Sequence, residues 1–256
     1  MGDFRLSRRF ILTGGSGVFG VAVLNTVTGC SAEPETTTAP ETTTAPTAPG
    51  SASAGAGNAG NIVTGDWRRV NLSFVSVYLL VRGSEVAIVD TGTSSSPADI
   101  EAGLKAAGSG WDAVKHVIVT HRHQDHAGGL AGVAPAIGGT IYTGDGEVEA
   151  ITASKPLKGL KDGDEIFGLR IVGTPGHTPG HISVFEPATG VLVAGDALNN
   201  MGSLTGSNPQ YTTDPAQAAA SVKKLAGLEV TAILPGHGEP LTTGAKEALQ
   251  QLAATL

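Results

Sequence analysis

One cysteine, few aromatic side chains and no run of basic residues set the first limits on this chain. The single cysteine, Cys30 in 256 residues, excludes an intramolecular disulfide and every metal site that needs two thiolates from one chain. Any metal ligands must then be histidine and carboxylate. Lysine and arginine total 16 against 23 acidic residues, a net charge of −7, so a sequence-independent grip on nucleic acid phosphates is not expected. Aromatic residues make up 4% while glycine occurs 37 times, which points to a loop-rich fold of small side chains. What is present, 40% apolar residues, suffices for the core of one domain or at most two.

The first sixty residues read as address and tether. Arg8 and Arg9 precede an apolar stretch that runs to about Leu24 and is interrupted by glycines. It falls short of the ~20 apolar residues of a spanning helix, so a secretory signal is the better reading than a transmembrane anchor. The paired arginines resemble a twin-arginine export signal, with an ordinary charged leader as the alternative. Val27-Thr28-Gly29-Cys30 resembles a bacterial lipobox, in which Cys30 is diacylated and becomes the new N-terminus. Two acyl chains suffice for stable anchoring. The expected product is an exported lipoprotein held on the outer face of the membrane, with residues 1–29 as signal. Residues 30–60 hold a Glu-Thr-Thr-Thr-Ala-Pro repeat and a Gly/Ala/Ser run without large apolar residues. Nothing there offsets the entropy of ordering, so a disordered linker is expected.

From Asn61 to Leu256 short apolar runs alternate with helical patterns, which implies one α/β domain, or α+β if the strands pair mostly antiparallel. The runs are Val77–Val81, Val86–Val89, His116–Val119, Thr140–Tyr142, Leu169–Val172, Ile182–Phe185, Val191–Ala194 and Ala232–Leu234. Several are too continuously apolar for a solvated face, so sheets covered by helices are expected. Ser96-Pro97 and Asp214-Pro215 open helices with stripes Ile100, Leu104, Ala107 and Ala218, Val222, Leu225. A last helix from about Thr243 carries Ala245, Leu249, Leu252 and Leu256 on one stripe.

All seven histidines lie between 116 and 237. The densest run is His121-Arg122-His123-Gln124-Asp125-His126, directly after a strand. Buried imidazoles and carboxylates need partners, and exposed ones have no reason to cluster, so the run points to metal binding rather than to a solvated loop. Gly128 and Gly129 follow, where a helix could begin against the site.

The run H-x-H-x-D-H resembles the signature of the metallo-β-lactamase superfamily. Further landmarks of that family stand in order: Val89-Asp90-Thr91-Gly92, Thr174-Pro175-Gly176-His177-Thr178-Pro179-Gly180-His181, Ala194-Gly195-Asp196-Ala197 and Pro235-Gly236-His237-Gly238. The resemblance implies an αββα sandwich, two sheets flanked by helices. It also implies two Zn²⁺ ions, one held by His121, His123 and His177, the other by Asp125, His126 and His237, with Asp196 bridging them. Imidazole and carboxylate at this density suit zinc. Asp90 is expected to orient ligands, His181 to pack or lend an outer hydrogen bond, and His116 to be structural.

The implied activity is hydrolysis by a hydroxide held between two ions, with Asp125 orienting the nucleophile or passing a proton. Lactamases with a cysteine in the second site are not close matches, because Asp196 stands where that residue would be. The pattern is closest to the glyoxalase II and lactonase branches, which cleave thioesters and lactones. About 19 residues follow His237, so the helical extension that holds glutathione in glyoxalase II is not expected. A mononuclear iron oxygenase, like the persulfide dioxygenases of this fold, and a non-catalytic binding lipoprotein are the alternatives. The partner is then a small-molecule substrate. Residues 198–213, with Asn199, Asn200, Met201 and Tyr211, are expected to line the entrance, with a plain surface loop as the alternative. Oligomeric state is left open.

Overall fold

The computed structural model describes residues 59–256. The proposed signal, lipidated Cys30 and nearly all of the linker lie outside the described residues. Two sheets stand face to face. The first has seven strands in chain order: β1 (Ala59–Thr64), β2 (Trp67–Leu72), β3 (Val75–Arg82), β4 (Glu85–Val89), β5 (Val114–Val119), β6 (Thr140–Gly144) and β7 (Leu157–Leu160). β1 to β4 form an antiparallel meander, and β4 to β7 run parallel. The second sheet is ordered β12 (Leu204–Gly206), β11 (Val191–Asn200), β10 (Ile182–Glu186), β9 (Leu169–Gly173), β8 (Glu165–Ile166), and β13 (Ala232–Gly238) runs parallel beside β11.

Strand alternation builds three layers of core. Tyr78 and Leu80 of β3, Ala87 and Val89 of β4, and Ile118 of β5 face the second sheet and meet Ile171, Val184, Val193 and Leu234. Their neighbours Val77, Leu79, Ile88, Val117 and Val119 point outward to α1 (Pro97–Ala106) and α3 (Leu130–Ala136), against Ile100, Leu104, Leu130 and Val133. On the far side Val172, Leu192 and Ile233 pack against Val222 and Leu225 of α4 (Pro215–Leu225) and Leu249 of α5 (Ala245–Ala254). The result is an αββα sandwich with both sheet faces covered, which is why the parallel strands read as unbroken apolar runs.

Several local readings change. β1 takes in two residues assigned to the linker, because Ala59 pairs with Val70 across the β1–β2 hairpin. Ser96 does not cap α1; its hydroxyl accepts the Thr93 N–H at 2.9 Å instead. Asp214 does cap α4, accepting the Gln217 N–H at 3.0 Å. Leu256 lies beyond the end of α5 and is exposed, so the last helix buries only Ala245 and Leu249 outright. The stretch 198–213 is not one loop: β11 runs to Asn200, β12 folds back on it, and a 3-10 turn covers Pro209–Tyr211. Among the described residues no helix is long and apolar enough to cross a membrane.

Candidate metal centre

The cluster forms where strand ends of both sheets meet. β5 ends at Val119 and delivers His121 and His123, after which the short helix α2 (Gln124–Ala127) turns Asp125 and His126 inward. β9 leads into the loop that carries His177, β11 supplies Asp196 and β13 supplies His237. Asp196 is aimed inward by an irregularity in β11: the register with β13 shifts on both sides of Gly195, whose φ is 53°. A left-handed residue within a strand favours glycine.

Three groups of ligand-type atoms converge: His121, His123 and His177; His121, His126 and Asp196; Asp125, His126 and His237. His123 Nδ1 lies 3.1 Å from His121 Nε2 and 3.0 Å from His177 Nε2. Tetrahedral zinc with ~2.0–2.1 Å bonds to nitrogen sets its ligand atoms about 3.3 Å apart, close to this spacing. Asp196 reaches toward both halves, with Oδ1 at 3.2 Å from His126 Nε2 and Oδ2 at 3.4 Å from His177 Nε2 and 3.2 Å from His237 Nε2. Asp196 Oδ1 is buried with no well-aligned hydrogen bond, only the His126 ring nitrogen 3.2 Å away, an arrangement that a cation would satisfy. The donor set therefore fits two metal ions.

Three of the remaining ring nitrogens have partners, the arrangement that orients histidines at metal sites. His126 Nδ1 meets Asp90 Oδ2 at 2.8 Å, His121 Nδ1 meets the Thr120 hydroxyl at 3.0 Å, and His237 Nδ1 donates to the Phe74 carbonyl at 2.6 Å. Asp90 also accepts the Thr120 N–H at 2.7 Å, so one carboxylate fixes the root of the histidine run. His181 is turned away from the cluster's centre: its Nε2 accepts the Asp196 N–H at 3.0 Å and its Nδ1 meets Thr174 Oγ1 at 2.8 Å. His116 stands apart, packed against Phe167 and Tyr142.

Charge divides the cluster. Burial holds His121, His123 and His177 below the ordinary imidazole value, His177 at about 4, and the neighbouring imidazoles add to this for each. Burial works the same way on His126 and His237, but the carboxylates win there: Asp196 and Asp90 hold His126 well above its ordinary value, and Asp125 and Asp196 raise His237 to about 10. Asp196 is correspondingly held well below the usual carboxylate range, burial being outweighed by His126 and His237. Burial thus disfavours charge on the imidazoles of one half, and the carboxylates favour it on those of the other.

Residues 70–237 match the profile of the Metallo-beta-lactamase superfamily. The chain belongs to this superfamily. It is 30% identical over 222 residues to a Bacillus subtilis (strain 168) protein named "Probable metallo-hydrolase YflN", covering 68% of this chain and 84% of that one. A hydroxyacylglutathione hydrolase of Dechloromonas aromatica is 32% identical over 154 residues, 59% of this chain and 53% of the relative, so the chain spans only about half that enzyme's length. The crystal structure of a metallo-beta-lactamase family protein from Thermus thermophilus superposes with a TM-score of 0.58 at 28% identity, covering 71% of this chain and 74% of that one. The chain is accordingly a superfamily hydrolase of the metallo type.

One buried group at the site has no counterpart in the motifs. Glu147, on the 3-10 turn Asp145–Ala150, is fully buried and touches two of the ligand-bearing loops. It carries no sequence signal, since it stands far from the histidine run and bonds mainly to backbone.

Proposed function

We propose that the domain binds two zinc ions and cleaves an ester, thioester or lactone bond of a small molecule. His121, His123 and His177 would hold one ion, Asp125, His126 and His237 the other, with Asp196 between them. The observation that carries this reading is the placement of Asp196, whose two oxygens lie 3.2–3.4 Å from imidazole nitrogens of both halves. When bound, such a pair of ions supplies a nucleophile at neutral pH and stabilises charge developing on oxygen. The chain's own groups do the rest. Asp125 is partly exposed, with Oδ2 3.3 Å from His237 Nε2, where it can orient a nucleophile and pass a proton to the leaving group. His181 and Thr174 hold the strand that carries Asp196. The hydroxyacylglutathione hydrolase relatives favour a thioester among the candidate substrates.

Metal analysis of protein purified from zinc-supplemented medium tests the reading, followed by a panel of thioester, lactone and ester probes. The expected result is two zinc ions per chain, hydrolysis abolished by chelation and restored by zinc. One iron per chain with oxygen consumption would overturn it in favour of an oxygenase.

We also propose that the domain is exported and tethered to the membrane through lipidated Cys30, as the Val27–Cys30 sequence suggests. Cys30→Ala is then expected to release the chain from membranes with its soluble activity intact. Retention in the membrane pellet would point to the apolar stretch before Cys30 as the anchor.

A further inference from the structure

We infer that Glu147 is a positioning residue for the three-histidine half of the metal centre: its buried carboxylate ties together the two loops that carry His121, His123 and His177. The inference rests on the proposed metal centre and adds a residue that none of the family motifs contains. Glu147 Oε2 accepts the backbone N–H of Arg122 at 3.1 Å and lies 3.0 Å from Arg122 Nε in an ion pair. Its Oε1 accepts the backbone N–H of Gly180 at 2.8 Å. Arg122 is the residue between His121 and His123, and Gly180 lies between His177 and His181. One side chain thereby spans from one ligand loop to the other.

The geometry is costly to build. Burying a carboxylate costs several kcal/mol unless its oxygens are satisfied, and here both hydrogen bonds come from main-chain groups of the two loops, with the Arg122 ion pair beside them. The turn must also lie in contact with the His177 loop. A Cβ at Gly144 would stand 1.9 Å from the Gly180 carbonyl oxygen, and one at Gly180 would stand 2.6 Å from the Gly146 carbonyl carbon. Glycine at all three positions lets the two backbones touch, which brings Glu147 within reach of both loops.

The other half of the centre is held by different groups. His126 is fixed by Asp90 and His237 by the Phe74 carbonyl, and Glu147 bonds to neither. Removing Glu147 should therefore loosen one half and spare the other. A purely structural role makes no such distinction, and a role confined to the Arg122 ion pair is separated by changing Arg122 alone. The Arg122 side chain is a third exposed, and its charge can be removed without touching the backbone N–H.

The test is a zinc and cobalt titration of the full-length protein against a competing chelator, with the cobalt absorption spectrum reporting each half and a melting curve run in parallel. For Glu147→Ala the three-histidine half is expected to bind ~10–100-fold more weakly while the other half keeps its affinity. Glu147→Gln preserves volume but presents an amide N–H to one of the two backbone donors, and should fall between. It carries the test if the alanine variant does not fold. Arg122→Met should bind both ions within about twofold of wild type, against the ~10–100-fold loss above. The inference is overturned if Glu147→Ala loses both ions in parallel, if it binds both like wild type, or if Arg122→Met reproduces its defect. Wild-type protein that binds no metal would instead sink the metal reading itself.

Discussion

The Asp90 carboxylate sits 2.8 Å from His126 Nδ1 and, through its other oxygen, 2.7 Å from the Thr120 N–H. Asp90 adopts this pose with φ of 65°, a left-handed conformation that Asp and Asn tolerate better than most residues. Asp90→Asn therefore keeps the backbone while removing the charge that orients His126. It is expected to weaken metal at the Asp125, His126, His237 half ~10–100-fold, read by chelator competition, with the fold intact by circular dichroism.

Asp196 and His181 separate a proposed ligand from its support. Asp196→Ala removes the one carboxylate that reaches toward both halves, and the second ion should be lost first. His181→Ala removes the acceptor of the Asp196 N–H and the partner of Thr174. It is expected to lower the melting temperature and activity while leaving most of the metal bound. If His181→Ala strips metal as completely as Asp196→Ala does, the roles of His177 and His181 must be exchanged.

Gly236 offers a test that removes no functional group. A Cβ there would stand 2.4 Å from Asp196 Oδ1 and 2.8 Å from His126 Cε1. Gly236→Ala must push the carboxylate aside, and kcat should fall with metal content. Gly138→Ala, where nothing lies within 4 Å, serves as the control and should be silent.

Away from the histidine cluster, Glu186 couples stability to pH. Burial pushes its carboxyl up, but hydrogen bonds from Thr189, Trp67 and Arg82 outweigh this and hold it below the ordinary value of 4.5. A carboxyl depressed by folding stabilises fully above its unfolded pKa, and that contribution disappears as pH falls below about 4.5. Glu186→Gln should cost ~1.5–3 kcal/mol at pH 7 in denaturant titrations of chelated protein. The gap between variant and wild type should narrow as the pH drops below 4.5.

Exposed apolar side chains flank the cluster. Phe74 is 58% exposed with its ring stacked on His237 at 6.3 Å, Met201 is 79% exposed beside the paired Asn200 and Gly238, and Tyr211 is 58% exposed next to Thr212, which contacts His177. Each methylene they cover contributes ~0.8 kcal/mol, about fourfold in kcat/KM. Butyryl esters should accordingly be cleaved about 15-fold better than acetyl esters, with the preference reduced in Phe74→Ala. Equal rates for both chains in wild type would remove these residues from the substrate's path.

Much of this was legible because the physics that writes it is local. Val86–Val89, Val191–Ala194 and Ala232–Leu234 are buried on both faces, so they read as unbroken apolar runs. The ligand motifs sit at the ends of those strands. What escaped depends on partners that the side-chain pattern of a single segment does not show. β2 carries Arg68, Arg69 and Asn71 and shows no apolar run, yet it is held by β1 and β3 on either side. β11 runs beyond Ala194 because Asn199 and Asn200 pair with His237 and Gly238. Ser96 looked like a cap by type, but its hydroxyl has a nearer partner in Thr93. Glu147 escaped because the groups it binds, two backbone N–H donors, leave no trace in side-chain pattern.

The parallel pairing of β13 with β11 also governs how safely the chain reaches its folded state. β11 is buried along nearly its whole length, and without β13 it would present a bare edge of apolar residues and unpaired amides. β13 arrives only after α4 and a long stretch of chain, a non-local closure that slows folding more than it lowers stability. Until it docks, that edge is open to another copy of the chain. Point changes in Ala232–Leu234 should therefore lower soluble yield during refolding at high protein concentration, beyond the loss that their lower melting temperature accounts for.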